Sequence, residues 1–432
     1  MEKIFRQTLT ALLIVTSLLT AVIVSAAIQT FEGKGEWHTN DDDSPQMAMA
    51  RAQQRAKIDA QKKAGIYLKT FSRSVNATLT DDDISAVTNN IIEIAGNVHF
   101  DKQIIKLSNQ QTTVLYTATL KARIDPDGIY AYINRNEKEK ITIIQQNNSL
   151  QDAIQKNNEL AASLTEQYNR ATSQAEKNRI RKQMDDADRD FLANQKLEES
   201  LKLYYASDYN GTIKICNEAI KLNPNLYGAY AYRGLSYYYL NQYEKAIQDY
   251  NKVVQLKPNN NLEYLYLGLG TAYGQLQQYD LAIKSFDKTI QLSPNLSEAY
   301  IGRGVSYTGL NQYVQAIQDF NKALQLNPNS SEAYISRGAI YVNLNQHDTA
   351  IQDFNNAILL NPNYVEAYIM RGCAYAFKGN LSQAIDDETK AIQINPNDAR
   401  AYNFRGLFYK LIGEEVKSQA DLARAKALGW KD

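Results

Sequence analysis

Six of the eight prolines, Pro224, Pro258, Pro294, Pro328, Pro362 and Pro396, are spaced by 34, 36, 34, 34 and 34 residues. Few folds accept such a period. A repeat of this length with helical apolar spacing is a helix pair that cannot bury its apolar face alone, so successive pairs have to stack. The stretch AYIGRGVSYTGLNQYVQAIQDFNKALQLNP, Ala299–Pro328, returns as AYISRGAIYVNLNQHDTAIQDFNNAILLNP and then as AYIMRGCAYAFKGNLSQAIDDETKAIQINP. Aligned on the prolines, residues 193–432 give seven units. Each helix is too short to be stable in isolation, and stacking is what buries the shared face.

The columns of this alignment have separate tasks. Ser200, Gly234, Gly270, Gly304, Gly338, Gly372 and Gly406 stand where the two helices of a unit cross and the backbones approach. Three residues on, Leu203, Tyr237, Tyr273, Tyr307, Tyr341, Tyr375 and Tyr409 plug the space. In the second helix Ala246, Ala282, Ala316, Ala350 and Ala384 are expected to face the glycine. Glu388 stands where other units carry Tyr250, Phe286, Phe320 or Phe354, so the second helix of the sixth unit is expected to pack less well. The last unit lacks a closing proline and ends in Leu428-Gly429-Trp430, as a capping helix would. Arg233, Arg303, Arg337, Arg371 and Arg405 each precede the crossing glycine, and Asp249, Asp319, Asp353, Asp387 and Asp421 follow 16 residues later. The units that lack the arginine, with Glu199 and Leu269, also lack the aspartate, with Ile215 and Ser285. Joint loss predicts an Arg–Asp ion pair inside each of five units, whereas an anion-binding arginine ladder gives no reason for it.

Glycine, tyrosine, alanine, aromatic, alanine and proline recurring together at this period resemble the tetratricopeptide repeat, over about 240 residues. The resemblance implies a mostly α fold, an α-solenoid of seven helix pairs whose first helices line a concave, partner-binding surface. Candidate contacts on their turns are Tyr232, Tyr238, Tyr239, Ile301, Thr308, Ile335, Asn343, Ile369, Phe377, Phe404 and Lys410. They are mostly neutral or apolar, which suits an extended or helical peptide held by tyrosine and aliphatic contacts. The lysine and asparagine set with which some relatives clamp a C-terminal carboxylate is missing.

Upstream, Lys3 and Arg6 precede an uncharged apolar run from Leu9 to Ala27 that ends in small residues. Residues 1–27 read as an export signal, with an uncleaved membrane anchor as the competing reading. Both readings send the rest of the chain across a membrane, to the periplasm or cell envelope. Residues 28–135 read as a small α+β domain. Its expected order is a strand at Thr30–Thr39, a helix from Pro45 closed by Gly65, a strand at Gly65–Val75, a helix opened by Thr80, and two or three antiparallel strands before Ile124. Ala48, Ala52, Ala56, Ala60 and Ala64 form a stripe that lets the first helix lie close to a sheet. This arrangement resembles the N-terminal domain of flagellar assembly protein T and related exported envelope proteins, which implies an adaptor role. Residues 136–192 carry a thin heptad seam, Leu150, Ile154, Asn157, Ala161, Leu164, Tyr168, Ala171, Ala175 and Asn178, with a break near Ser173–Asn178. The seam fits either a homodimeric coiled coil or an intrachain helical spacer or hairpin.

Little in the sequence points to chemistry. Lys plus Arg and Asp plus Glu number 47 each, so no overall field draws nucleic acid or an acidic membrane. His38, His99 and His347 are scattered, and neither Cys216 nor Cys373 has a histidine partner at ligand or catalytic spacing. Asp41–Asp43 and Asp81–Asp83 read as helix-start charge, with cation binding as the rival. No catalytic, cofactor or metal residue is assigned. The expectation is a non-enzymatic, exported scaffold that binds protein or peptide partners. Self-assembly through residues 136–192, and an enzyme or carbohydrate binder within residues 28–135, are the alternatives.

Overall fold

The computed structural model describes residues 29–39, 45–74, 93–106, 112–124, 137–257 and 262–430. The apolar run, both aspartate triplets, the expected helix at Thr80 and the loop around Asn259–Asn261 lie outside them. The chain divides into two units, residues 1–232 and 233–432.

In the first unit, β1 (Gln29–Thr39), β2 (Glu93–Lys106) and β3 (Thr112–Ile124) form an antiparallel sheet of order β1-β3-β2. Its register slips between Ala95 and His99, where Asn97 interrupts the alternation. Helix α1 (Pro45–Ser74) lies across one face, with Ala48, Ala52, Ala56, Ala60 and Ala64 buried against Trp37, Tyr116, Ala118 and Leu120. The glycines of β1 are the other half of that approach. A Cβ on Gly33 would stand 2.0 Å from the Ala56 carbonyl oxygen, and one on Gly35 would stand 2.1 Å from the Ala56 nitrogen. The helix does not end at Gly65, and Gly65–Ser74 is helical instead of a strand. Leu68, fully buried, continues the alanine stripe by one further step of four, and this apolar contact outweighs the helix-breaking tendency of one glycine.

Helix α2 (Glu137–Arg170) and helix α3 (Gln174–Tyr205) form a hairpin. Ser173 caps α3 by accepting the Glu176 amide proton at 3.2 Å. The heptad seam is satisfied within the chain: Leu164, Ala171, Ile180 and Ala187 share one buried cluster. The hairpin is also no free spacer. Arg51 of α1, 2% exposed, reaches Asn157 at 3.2 Å, Asn158 at 2.7 Å and Asp188 at 2.9 Å. Its guanidinium lies 4.5 Å from the centre of the Phe191 ring and 5.0 Å from that of Trp37. Asn157 in turn donates to the Ala187 carbonyl at 2.8 Å. The polar residue that thins the seam is therefore part of the joint. The connector expected to end at residue 192 continues unbroken through α3, which is also the first helix of the first repeat. No glycine or proline intervenes between Gly128 and Gly211 to stop it.

Six further pairs follow α4 (Tyr209–Leu222), the second helix of that first repeat. They are α5 (Tyr227–Tyr239) with α6 (Tyr243–Leu256), α7 (Glu263–Gln275) with α8 (Tyr279–Leu292), and α9 (Ser297–Gly309) with α10 (Tyr313–Leu326). Then come α11 (Ser331–Asn343) with α12 (His347–Leu360), α13 (Val365–Phe377) with α14 (Leu381–Ile394), and α15 (Ala399–Leu411) with α16 (Glu415–Ala427). One residue per internal turn adopts a left-handed conformation: Ser207, Asn241, Gln277, Asn311 and Asn345 near φ +56° to +61°, then Gly379 and Gly413 near +80°. Behind α16, Gly429 turns at φ +95° and Trp430 folds back to tilt against Phe404 at 6.4 Å.

Candidate functional site

The packing of the second unit decides which residues are available to a partner. The side chain over the crossing glycine is not the alanine but the residue four positions after it on the second helix, an aromatic at Gly234, Gly270, Gly304 and Gly338, Glu388 at Gly372 and Leu422 at Gly406. A Cβ on Gly304 would lie 3.0 Å from the Phe320 ring, and one on Gly338 would lie 2.7 Å from Phe354. Alanine is too short to reach across, so Ala316 and Ala350 instead let the second helix sit close to its neighbours, fully buried. Phe286 touches both its own pair and the next: Cβ atoms on Gly270 and Gly302 would lie 2.7 and 2.4 Å from it.

The arginines hold the pairs together and leave no ladder facing solvent. Arg303 donates from Nε and Nη2 to the Asp319 carboxylate at 2.8 and 2.7 Å. Arg233, Arg337, Arg371 and Arg405 make the same two bonds to Asp249, Asp353, Asp387 and Asp421, between 2.6 and 2.9 Å. A third bond was not foreseen from the sequence. Nη1 reaches the second helix of the preceding pair, at Asp287 for Arg303, Asn321 for Arg337, Asn355 for Arg371 and Thr389 for Arg405. One guanidinium therefore ties three helices, between two tyrosines whose ring centres stand 5.6–6.0 Å away for Arg303, Arg371 and Arg405. The Asp319 carboxylate holds the Arg303 guanidinium above its usual range. In the third unit Leu269 is buried and the Ser285 hydroxyl turns back onto the Leu281 carbonyl.

The expected partner contacts divide by exposure. Tyr232, Ile301, Ile335 and Ile369 are between 2% and 9% exposed and belong to the core between helices. A single helix pair cannot distinguish a face turned to its neighbour from one turned to solvent, and these four face neighbours. Tyr239, Asn343, Phe377 and Lys410 are exposed, and Tyr238, Thr308 and Phe404 are half-buried. Phe377, 68% exposed, stacks on His347 at 5.3 Å, so that histidine is a packing residue.

Across α7, α9 and α11 runs a groove of about 630 Å³. Its surface is made of small side chains: Gly270, Thr271 and Gly274 on α7, Gly302, Ser306 and Gly309 on α9, and Ser336 and Ala339 on α11. Leu267, Ile301 and Val305 add apolar walls, with the Tyr279, Phe286 and Phe320 rings behind them. A Cβ on Gly309 would stand 2.4 Å from the Tyr279 ring, whereas one on Gly274 would meet nothing within 4 Å. The groove is wide here because these columns, large in α5 as Leu235, Tyr238 and Tyr239, shrink in the three pairs that follow. Thr308 and Ile301 were candidates; the rest were missed, and the only signal was this loss of bulk along a column. Glu298 and Glu332, in the first turns of α9 and α11, stand at the groove, and no lysine, arginine or histidine lines it.

No group of three or more histidine, cysteine, aspartate or glutamate side chains converges as a metal site among the described residues. His38 and His99 lie exposed on β1 and β2 of the first unit. Among the described residues no helix is long and apolar enough to cross a membrane.

Stacked helix pairs with these contacts define an α-solenoid. Tetratricopeptide repeat family models match residues 227–260, 264–296, 297–330, 331–364 and 365–398, so the chain carries five tetratricopeptide repeats by sequence. No relative among the curated proteins matches. Among solved structures, MamA is 28% identical over 37% of this chain and 94% of its own, with a TM-score of 0.35. YrrB, described as a TPR protein with an unusual peptide-binding site, is 25% identical over 43% and 95%, with a TM-score of 0.35. A tetratricopeptide repeat protein from Parabacteroides merdae is 20% identical over 56% and 94%, with a TM-score of 0.48. The matched repeats begin at residue 227, and the likeness of residues 28–135 to flagellar assembly protein T is not among these findings.

Proposed function

We propose that this chain is an exported protein-interaction scaffold of the cell envelope that holds a partner polypeptide along its first helices. The observation that carries the reading is the groove across α7, α9 and α11, an open apolar channel within repeats of a kind that binds proteins and peptides. Peptide backbones and mixed side chains fit a channel lined by small residues better than a compact metabolite does, since few convergent polar groups are present to orient one. Export rests on the apolar run Leu9–Ala27 behind Lys3 and Arg6.

Two measurements test this. Cell fractionation with N-terminal sequencing places the chain: an envelope fraction starting near Ala27 supports export by a cleaved signal, and a cytoplasmic fraction overturns export. Affinity isolation from envelopes then compares the native chain with Thr271→Trp, whose indole fills the groove. A protein recovered with the native chain and lost with the variant supports the reading; equal recovery contradicts it.

A further inference from the structure

We infer that a second pocket, on α6, α7 and α8, takes an aromatic side chain of a partner polypeptide that carries aspartate or glutamate beside it. The pocket, of about 460 Å³, shares no lining residue with the groove, and the inference does not rest on the groove. It opens where the third unit lacks its Arg–Asp pair. Tyr266 and Tyr273, on its walls, correspond to Tyr300 and Tyr307, whose ring centres stand 5.7 and 6.0 Å from the Arg303 guanidinium. Asn251 also lines it, two residues after Asp249. That is the column of Asn321, which accepts Arg337 Nη1 from the next pair at 2.5 Å. The third unit therefore keeps the tyrosine walls and the outer acceptor of a guanidinium, and has leucine in place of the arginine. The first unit, which lacks the pair too, has lost the walls as well, with Lys196 and Leu203 where the tyrosines stand.

The lining decides what fits between those walls. Leu269, 3% exposed, makes an apolar floor, and the exposed Leu281 adds to it. Ser285, in the aspartate column, donates to the Leu281 carbonyl at 2.9 Å. The one carboxylate of the lining, Asp287, already accepts Arg303 Nη1 at 2.6 Å. Lys284 and Lys288 are exposed at the pocket, and neither is in an ion pair among the described residues; Lys288 donates to the Gln291 side-chain oxygen at 3.1 Å. Lys284 stands where Gln248, Gln318 and Gln352 stand in units that hold the pair. A partner's arginine would meet two like charges and a carboxylate already taken, so a cation is disfavoured. An aromatic ring packs on Leu269 and the two tyrosine rings with no need of a counter-charge. Acidic residues beside it then meet the two lysines. An aromatic anchor in a pocket with a charged rim concentrates binding energy at few contacts.

The test pans random 16-residue peptides displayed on phage against the full chain and, in parallel, against Leu269→Arg/Ser285→Asp. That double variant fills the pocket with the internal pair the other units carry, and its folding is checked by its urea midpoint. Leu281→Trp, at an exposed lining position, is a second and independent block. Peptides bound by the native chain and by neither blocked variant are expected, each with an aromatic residue beside aspartate or glutamate. Titrated by fluorescence anisotropy, they should lose about thirtyfold in affinity when the aromatic is replaced by alanine, and about tenfold in Lys284→Glu/Lys288→Glu. Thr271→Trp, which fills the groove, should leave them unaffected. Pocket-dependent peptides that are basic, or that ignore the charge reversal, would overturn the acidic partner. No peptide sensitive to the blocked variants, or peptides lost only in Thr271→Trp, would overturn the pocket as a site and leave the groove reading standing.

Discussion

Glu388 of α14 offers the sharpest test of how the repeats hold together. It occupies the column filled by Tyr250, Phe286, Phe320 and Phe354, it is 0% exposed, and neither carboxyl oxygen has a hydrogen-bond partner. One oxygen lies 2.9 Å from where a Cβ on Gly372 would be. Burial, and then the negative charges of Asp387 and Asp398, push its pKa from 4.5 up to about 9. The folded chain therefore keeps a proton that the unfolded chain gives up. Stability from this group is complete below pH 4.5, falls as pH rises, and levels off above about 9. Between pH 4.5 and pH 7 the loss is about 1.36 kcal/mol per pH unit, or about 3 kcal/mol at pH 7. Glu388→Gln keeps the shape and removes the titration. In urea unfolding followed by circular dichroism at pH 5, 7 and 9, the native chain should weaken relative to the variant as pH rises. The gap should be less than about 1 kcal/mol at pH 5 and about 3 kcal/mol at pH 7. Because repeats open locally, hydrogen exchange of α14 amides should show the same trend more strongly than α8 amides. A constant offset between the two proteins across this range would refute the reasoning.

Three further outcomes are expected. Asp353→Ala leaves the Arg337 guanidinium, 19% exposed, without its carboxylate and should lower stability by about 3 kcal/mol, whereas Arg337→Met/Asp353→Leu should recover most of that; urea midpoints decide. Gln277 holds φ +57° where five of the six other turns use asparagine or glycine, so Gln277→Gly should add about 1 kcal/mol, and an unchanged or lower midpoint would count against it. Burial, followed by the charges of Glu388 and Glu366, raises the Cys373 thiol from 9.0 to about 12. Iodoacetamide at pH 8 should therefore modify it about a thousandfold more slowly in the folded chain than in urea, read by mass spectrometry.

Much of the second unit was legible because repetition supplies its own comparison. Arginine and aspartate columns that vanish together in the sequence are bonded together in the structure, as Arg303 and Asp319 are. The Nη1 bond to the preceding pair escaped because its acceptor changes identity, Asp287, Asn321, Asn355 and then Thr389, and leaves no column to notice. Ile301, Ile335 and Ile369 read as solvent-facing because a period of 34 shows which residues correspond but not which side the next pair covers. The groove was hidden for the opposite reason: it is built from what is absent, as at Gly274 and Gly309. In the first unit, one glycine at residue 65 looked like a helix end, and only the buried Leu68 beyond it shows why the helix continues. Asn157 looked like a flaw in a zipper, yet it bonds both Arg51 and the Ala187 carbonyl. Such long-range partners carry no local signal.

The central claim is that a polypeptide lies in the groove across α7, α9 and α11. Its most direct test is a photo-crosslinking amino acid placed in living cells at Val305, which lines the groove and is 45% exposed, and separately at Val416 of α16, which is 84% exposed and does not line it. The account predicts discrete protein adducts from Val305 that disappear when Thr271→Trp fills the groove, and none of these from Val416. Adducts of equal yield from both positions, or a Val305 adduct that persists with the groove filled, would contradict it.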